Sequence, residues 1–339
     1  SSDLKVEKNE DVLVVDPTNL ENRPLVSEAV DKLRASYYLM GALLGKCNKV
    51  TMKMPGGCFL GPRPIDLHIK GFEALGATVA YSSDGTYTIE AKELIGNKIY
   101  LDFASVGATI NILLAAVKAK GKTTIENAAK EPEIIDVVNL LTKMGAKIRG
   151  AGTDTIIIEG VEKLSGCNHE IIPDRIEAGT FLVIAAAAGE KVIVQNVIPQ
   201  HLEAVTSKLK EIGVKMDTVG DSIIVHGGKE NLRAVDIRTQ VYPGFATDLQ
   251  QPLTALLTQC QGVSQVVETI YPERFGHCYQ LNAMGAKIDQ EEAMCYVNGP
   301  TPLHGARVYA TDLRCGAALI VAALMADGVT EIGNVYHID

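Results

Sequence analysis

One phrase recurs four times along the chain and sets its architecture. It reads Ala74-Leu75-Gly76-Ala77-Thr78-Val79, Lys143-Met144-Gly145-Ala146-Lys147-Ile148, Glu211-Ile212-Gly213-Val214-Lys215-Met216 and Ala283-Met284-Gly285-Ala286-Lys287-Ile288. The glycines stand 69, 68 and 72 residues apart. A glycine at that place ends a helix in a left-handed cap, and an alternating strand follows. The spacing predicts strands over Lys147–Arg149, Thr155–Glu159, Ser222–His226 and Ala293–Asn298.

Upstream of each phrase lies a helix of small apolar residues and then a β-rich stretch. The helices are predicted at Leu33–Gly45, Val106–Lys118, Ile176–Ala188, Leu249–Gln261 and Leu313–Ala326. The stretches that follow are Lys49–Met54, Lys122–Asn127, Lys191–Asn196, Ser264–Thr269 and Val329–Asn334. Strand, helix and hairpin repeating at about 70 residues is an α/β repeat architecture. Leu4–Asp16 reads as a strand pair whose helix is missing, and Tyr336-His337-Ile338-Asp339 stops where other repeats enter a helix. The pattern therefore predicts six repeats, truncated at both ends. A chain of 339 residues exceeds one ordinary core. Two domains are expected, 1–172 and 173–339, the second incomplete at its C-terminus.

Composition narrows the function classes. A net charge of −9 argues against a nucleic-acid-wrapping surface but permits a local cationic pocket for anions. Seven scattered cysteines without a CxxC pair resemble neither a disulfide framework nor a zinc site, which suits a reducing cytoplasm. The apolar stretches are too short to span a bilayer, so no membrane partner is expected.

The repeats also supply an internal control. From Ile125 to Gly145 is 20 residues, from Val194 to Gly213 is 19 and from Val267 to Gly285 is 18, yet from Met52 to Gly76 is 24. The first repeat thus carries an insertion of about four to six residues at Gly56–Arg63, and such insertions often mark binding. It holds Cys58, followed by Arg63 between two prolines. An arginine near a thiol favours thiolate and offers a fork to phosphate or carboxylate. Arg34, at the start of an apolar helix, opposes the helix dipole and so points to a ligand or partner charge. Asp66 and His68 either begin a helix or contact a ligand. Ser105 reads as an N-cap, where an anion is also welcome. Asp248 precedes a small-residue helix just as Asp174 and Asp312 do at matching repeat positions, so a capping or first-turn role explains all three without chemistry. The six other cysteines read as small buried hydrophobes.

With these residues in view, the chain resembles the UDP-N-acetylglucosamine 1-carboxyvinyltransferase family of enolpyruvyl transferases. The marks are Pro55-Gly56-Gly57-Cys58, Arg63-Pro64-Ile65-Asp66-Leu67-His68, Ser105-Val106-Gly107-Ala108-Thr109, Glu126-Asn127-Ala128, Glu131-Pro132-Glu133, Pro173-Asp174-Arg175-Ile176-Glu177, Thr247-Asp248, Ala310-Thr311-Asp312-Leu313-Arg314 and His337-Ile338-Asp339. The resemblance implies an α/β fold: two inside-out α/β barrels of βαβαββ-type repeats, closing on substrate between them. It implies transfer of the enolpyruvyl group of phosphoenolpyruvate to the 3-hydroxyl of UDP-N-acetylglucosamine, with no metal and no cofactor. Carried over, Cys58 is the loop cysteine that donates a proton, Arg63 contacts phosphoenolpyruvate and Asp248 stands near the reacting hydroxyl. Arg34, Arg63, Pro64, Ile65, Asp66, Leu67, His68, Ser105, Val106, Gly107, Asp248, Ile270 and Arg314 would line the substrate site. Some relatives carry lysine where Phe103 stands. The family's N-terminal Lys-Asn pair and its arginine after His-Ile-Asp fall outside this chain. A sister enzyme acting on shikimate 3-phosphate, or an inactive UDP-sugar-binding module, are the alternative readings.

Overall fold

Each recurring glycine adopts left-handed backbone: φ is +92° at Gly76, +105° at Gly145, +109° at Gly213 and +100° at Gly285. A side chain there would be strained, which is why the phrase needs glycine. The computed structural model describes residues 4–53, 65–189, 191–227 and 231–338. Within them the repeat appears as an inner helix, a strand, an outer helix and a hairpin.

After a short helix α1 (Glu28–Lys32), the first repeat runs α2 (Tyr38–Cys47), strand Lys49–Lys53, α3 (Asp66–Ala74) and the hairpin Thr78–Tyr81 with Thr86–Glu90. The second runs α4 (Val106–Ala116), strand Lys122–Glu126, α5 (Pro132–Lys143) and the hairpin Lys147–Arg149 with Thr155–Glu159. The third runs α6 (Arg175–Ala188), strand Lys191–Val194, α7 (Glu203–Ile212) and the hairpin Lys215–Val219 with Ser222–His226. The fourth runs α8 (Thr247–Leu257), strand Gly262–Val267, α9 (Gly276–Ala283) and the hairpin Lys287–Glu291 with Met294–Gly299. A further α10 (Leu313–Met325) is followed by strand Glu331–Gly333. Residues Lys5–Asn9 and Val12–Asp16 form the antiparallel pair expected near the start.

In every repeat the second hairpin strand lies in the middle, antiparallel to both neighbours. Register explains which face is covered: Thr123 pairs with Ile158 and Ile125 with Ile156, and all four are buried. One face of the sheet is apolar and inward, the other polar and wet.

The described residues form two compact units, one of 4–53, 65–129 and 137–169, the other of 130–136, 170–189, 191–227 and 231–338. In the first, α4 packs against α2 and α3 and is buried on nearly every side. In the second, α6, α8 and α10 pack on one another at the centre of the core. Helices that are apolar all round must be covered all round. Each unit therefore has helices inside and sheets outside. Close approach needs small residues: a Cβ on Gly41 of α2 would fall 2.2 Å from the Asn111 carbonyl oxygen of α4.

Candidate active site

The three aspartates at matching repeat positions do different things. Asp174 caps α6, its Oδ1 accepting from the amides of Ile176 (2.8 Å) and Glu177 (3.2 Å). Asp312 caps α10 in the same way, through the amides of Arg314 (2.9 Å) and Cys315 (3.2 Å). Asp248 lies inside the first turn of α8, whose N-cap is Ala246. Its carboxylate turns to side chains instead, with Oδ1 2.7 Å from Arg274 Nη1 and Oδ2 3.5 Å from Arg314 Nη2. Two guanidiniums thus flank the carboxylate. A bland capping role thus holds for Asp174 and Asp312 and fails for Asp248.

Arg274 is a buried cation. Its side chain is 3% exposed, and Nη1 also donates to Thr247 Oγ1 at 3.0 Å. Both hydrogens of that nitrogen are thereby committed. The guanidinium stacks near Tyr271, 5.7 Å from the ring centre. Ile270 lies half-buried in the loop between strand Gly262–Val267 and α9, the loop that also carries Arg274. Pro252, four residues beyond Asp248, lies inside α8.

The other unit gathers a second group of the expected residues around Asn111. The Asn111 Oδ1 accepts from the Gly41 amide at 2.9 Å, which fixes the orientation of its side-chain amide. Its Nδ2 then donates to the Tyr37 carbonyl (3.0 Å) and to His68 Nδ1 (2.8 Å). One side chain therefore ties α2, α3 and α4 together. His68 is buried, and that burial, aided by the Arg34 charge and opposed by Asp66, pushes its pKa down to about 4. It is a neutral imidazole that accepts through Nδ1. Tyr37 meets His68 edge-on with ring centres 5.1 Å apart, and Arg34 lies 5.3 Å from the Tyr37 ring centre. Gly107 sits beneath them: a Cβ there would come 2.7 Å from the Tyr37 hydroxyl and 3.0 Å from His68 Cε1.

Ser105 caps α4, its Oγ accepting from the Ala108 amide at 3.3 Å. Val106 is half-buried in the first turn, and Phe103 is 60% exposed. Ile65 and Leu67 are buried, so only their backbone is available to a ligand, whereas Asp66 is exposed. Arg34 departs from expectation. It belongs to a 3-10 turn, Arg34–Tyr37, and α2 starts only at Tyr38, because Leu33 is extended. Cys58, Arg63 and Pro64 lie outside the described residues, as does the whole insertion at 56–63. Of the remaining cysteines, Cys260, Cys278, Cys295 and Cys315 are buried, and burial raises the Cys260 thiol to about 12. Cys167 is exposed and Cys47 half-buried, which corrects the uniform reading of those six as core. Among the described residues no helix is long and apolar enough to cross a membrane, and no group of three or more potential ligands is placed to hold a metal ion.

The sequence profile of EPSP synthase (3-phosphoshikimate 1-carboxyvinyltransferase) matches residues 2–339. The chain belongs to the EPSP synthase family. Within that family it is 62% identical over 326 residues to UDP-N-acetylglucosamine 1-carboxyvinyltransferase 2 of Listeria monocytogenes serotype 4b (strain F2365), covering 96% of this chain and 77% of the relative. It is 59% identical over 327 residues to the protein of the same name in Bacillus subtilis (strain 168), covering 96% and 76%. Among solved family folds, the enolpyruvyl transferase NikO from Streptomyces tendae aligns with a TM-score of 0.88 at 25% identity, over 99% of this chain and 80% of that one. EPSP synthase from Acinetobacter baumannii aligns with a TM-score of 0.71 at 20% identity, over 99% and 81%, a likeness of fold alone.

Reading the family's repeats in register would have revealed Arg274, which sequence reasoning passed over. Its loop joins the first strand to the outer helix of the fourth repeat, the same place that holds the Cys58 insertion in the first. Tyr37 and Asn111 carry no such signal. Asparagine inside an apolar helix is visible, but its three partners come from elements far apart in sequence.

Proposed function

We propose that the protein transfers the enolpyruvyl group of phosphoenolpyruvate to the 3-hydroxyl of UDP-N-acetylglucosamine and releases phosphate, the first committed step of peptidoglycan precursor synthesis. The substrate reading is supported by relatives of that name at 59–62% identity over 96% of the chain. The chemical reading rests on one observation: Asp248 abandons the capping role of Asp174 and Asp312 to sit between Arg274 and Arg314.

In this reading Cys58 gives a proton to the methylene carbon of phosphoenolpyruvate while the sugar hydroxyl attacks the neighbouring carbon. Asp248 accepts the hydroxyl proton as the new carbon–oxygen bond forms. A carboxylate is a weak base for an alcohol, so transfer comes late, when bond formation has acidified the hydroxyl. The carbon–oxygen bond to phosphate then breaks, phosphate leaving with the proton held by Asp248, while the Cys58 thiolate takes a proton back from the methyl carbon and the double bond returns. Arg63 and Arg314 suit the phosphate and carboxylate of phosphoenolpyruvate. Arg34, the Arg63–His68 segment, Ser105, Val106, Gly107 and Ile270 bind the nucleotide sugar. Arg63 also draws the Cys58 thiol towards thiolate. The substrate's phosphate offsets that pull and lets the thiol hold its proton for delivery. The domain division at 172 and a cytoplasmic location belong to the same proposal.

Phosphate release by the purified protein tests it. Release is expected only with phosphoenolpyruvate and UDP-N-acetylglucosamine together. Release with shikimate 3-phosphate in place of the sugar would favour the sister activity. Thermal stabilisation by UDP-N-acetylglucosamine with no release would favour an inactive binding module.

A further inference from the structure

The fourth repeat contains a buried carboxylate that none of the assigned roles uses. Glu268 is 1% exposed. Its Oε1 accepts from Thr239 Oγ1 at 2.7 Å, from the Ile270 amide at 2.8 Å and from the Tyr271 amide at 3.1 Å. Its Oε2 accepts from Thr247 Oγ1 at 2.9 Å. Four donors converge on one acid, and two of them are backbone amides that can only donate. A carboxylate accepts from all four.

The other repeats show that this is an added device. By strand register the residue matching Glu268 in the second repeat is Asn127, because the Leu101 amide donates to the Glu126 carbonyl just as the Thr239 amide donates to the Val267 carbonyl. Its counterparts in the third repeat and in the last strand are Asn196 and Asn334. All three are left-handed asparagines, with φ of 56°, 55° and 59°. Asn127 Nδ2 donates to the Leu101 carbonyl at 2.8 Å, tying strand end to helix entry. In the fourth repeat Thr269 takes over that tie, its Oγ1 donating to the Thr239 carbonyl at 2.6 Å. The scaffold's own bond is therefore already made, and the four bonds to Glu268 come on top of it.

We propose that Glu268 is a positioning residue for the transfer reaction, acting through Thr247 on Arg274 and through the Ile270 amide on the loop. The direction of one proton carries the argument. Because a carboxylate only accepts, the Thr247 hydroxyl must point its hydrogen at Glu268. Its lone pair is then left facing Arg274 Nη1, 3.0 Å away. The same Nη1 spends its second hydrogen on Asp248. Glu268 thus orients the guanidinium that flanks the proton acceptor, and it holds the backbone at Ile270 from the same carboxylate. Glutamine in its place presents an amide to one side. If the –NH₂ faces Thr247, the hydroxyl receives two donors and loses its defined acceptor.

This proposal rests on the transfer reading, so its test must separate the two. Thr247→Val, Glu268→Gln and the double variant are assayed for phosphate release from phosphoenolpyruvate and UDP-N-acetylglucosamine, alongside thermal unfolding. Thr247→Val removes the relay with almost no change of shape. It is expected to lower kcat by about tenfold to a hundredfold, the worth of a hydrogen bond to a charged group, with the KM for the sugar nucleotide within about twofold. Glu268→Gln is expected to lose a similar factor. The double variant should be no slower than the slower single one, because both break one chain. Turnover of Thr247→Val at the wild-type rate would overturn the proposal, as would losses that multiply in the double variant or that follow a fall in melting temperature. If Glu268→Gln fails to fold, Thr247→Val alone still decides. A wild-type protein inert towards both substrates would overturn the transfer reading and this proposal with it. Active wild type with unaffected variants would overturn only the proposal.

Discussion

Arg274 Nη1 stands 2.7 Å from Asp248 Oδ1, and this pairing separates Asp248 from its two repeat counterparts. Asp174 and Asp312 spend their carboxylates on helix amides. Substitution should therefore split them. Asp248→Asn is expected to reduce phosphate release by roughly a hundredfold or more with little change in melting temperature. Asp174→Ala should cost about 1 kcal/mol of stability with turnover retained, since an N-cap is lost. Steady-state rates and urea titrations on both variants check the contrast.

Arg274→Lys keeps enough donors on its ammonium but brings them on a shorter side chain without the planar guanidinium. It cannot hold Thr247 and Asp248 in the present geometry. We expect at least about a tenfold loss in kcat/KM for phosphoenolpyruvate, read from initial rates. Full activity in the lysine variant would show that charge alone suffices.

Cys58→Ala should abolish phosphate release while leaving the unfolding curve unchanged. An epoxide phosphonate such as fosfomycin should alkylate Cys58 in preference to the other cysteines, four of which are buried. Peptide mass mapping after limited labelling reads this directly. Modification first at Cys167, the exposed thiol, would count against it.

His68 makes stability depend on pH in a defined direction. Its pKa is 6.5 when exposed and about 4 in the fold, chiefly through burial. A base depressed by folding adds stability that is complete above 6.5 and is lost as pH falls towards 4. The contribution is about 3 kcal/mol across that window. His277, buried and lowered to about 3 by burial and by Arg274, acts in the same sense. The urea midpoint should therefore fall between pH 6.5 and 4, and His68→Gln should flatten part of that slope. An unchanged slope would remove His68 from the account.

Gly41→Ala should destabilise the first unit by at least about 1–3 kcal/mol, because its Cβ would overlap the Asn111 carbonyl and push α2 from α4. Circular dichroism during urea unfolding measures the loss. Wild-type stability would mean that the two helices part easily.

Periodicity made the fold legible because the same physics repeats. Gly76, Gly145, Gly213 and Gly285 each had to end a helix, and all four do so with positive φ. Helix starts were less legible. The segment Arg34–Tyr37 was read as helix because its apolar pattern continues into α2, yet it winds as a 3-10 turn. The Cys58 insertion stands out in the sequence by its length against the other repeats, and it lies outside the described residues. The site was ambiguous at Asp248, whose sequence neighbours match those of two capping aspartates; only the arrival of Arg274 and Arg314 from other segments distinguishes it. Glu268 was invisible because its partners Thr239 and Thr247 come from a strand end and a helix start that sequence spacing does not pair.

Pro252 has a mechanical consequence for the residue one turn before it. A proline ring brings no amide hydrogen to the helix ladder and crowds the carbonyl four positions back, which here belongs to Asp248. The opening turn of α8 is moored sideways, through Thr247 and Asp248, by Arg274, Arg314 and Glu268 from other segments. The hold on this carboxylate therefore comes from residues distant in sequence and not from the coil that carries it.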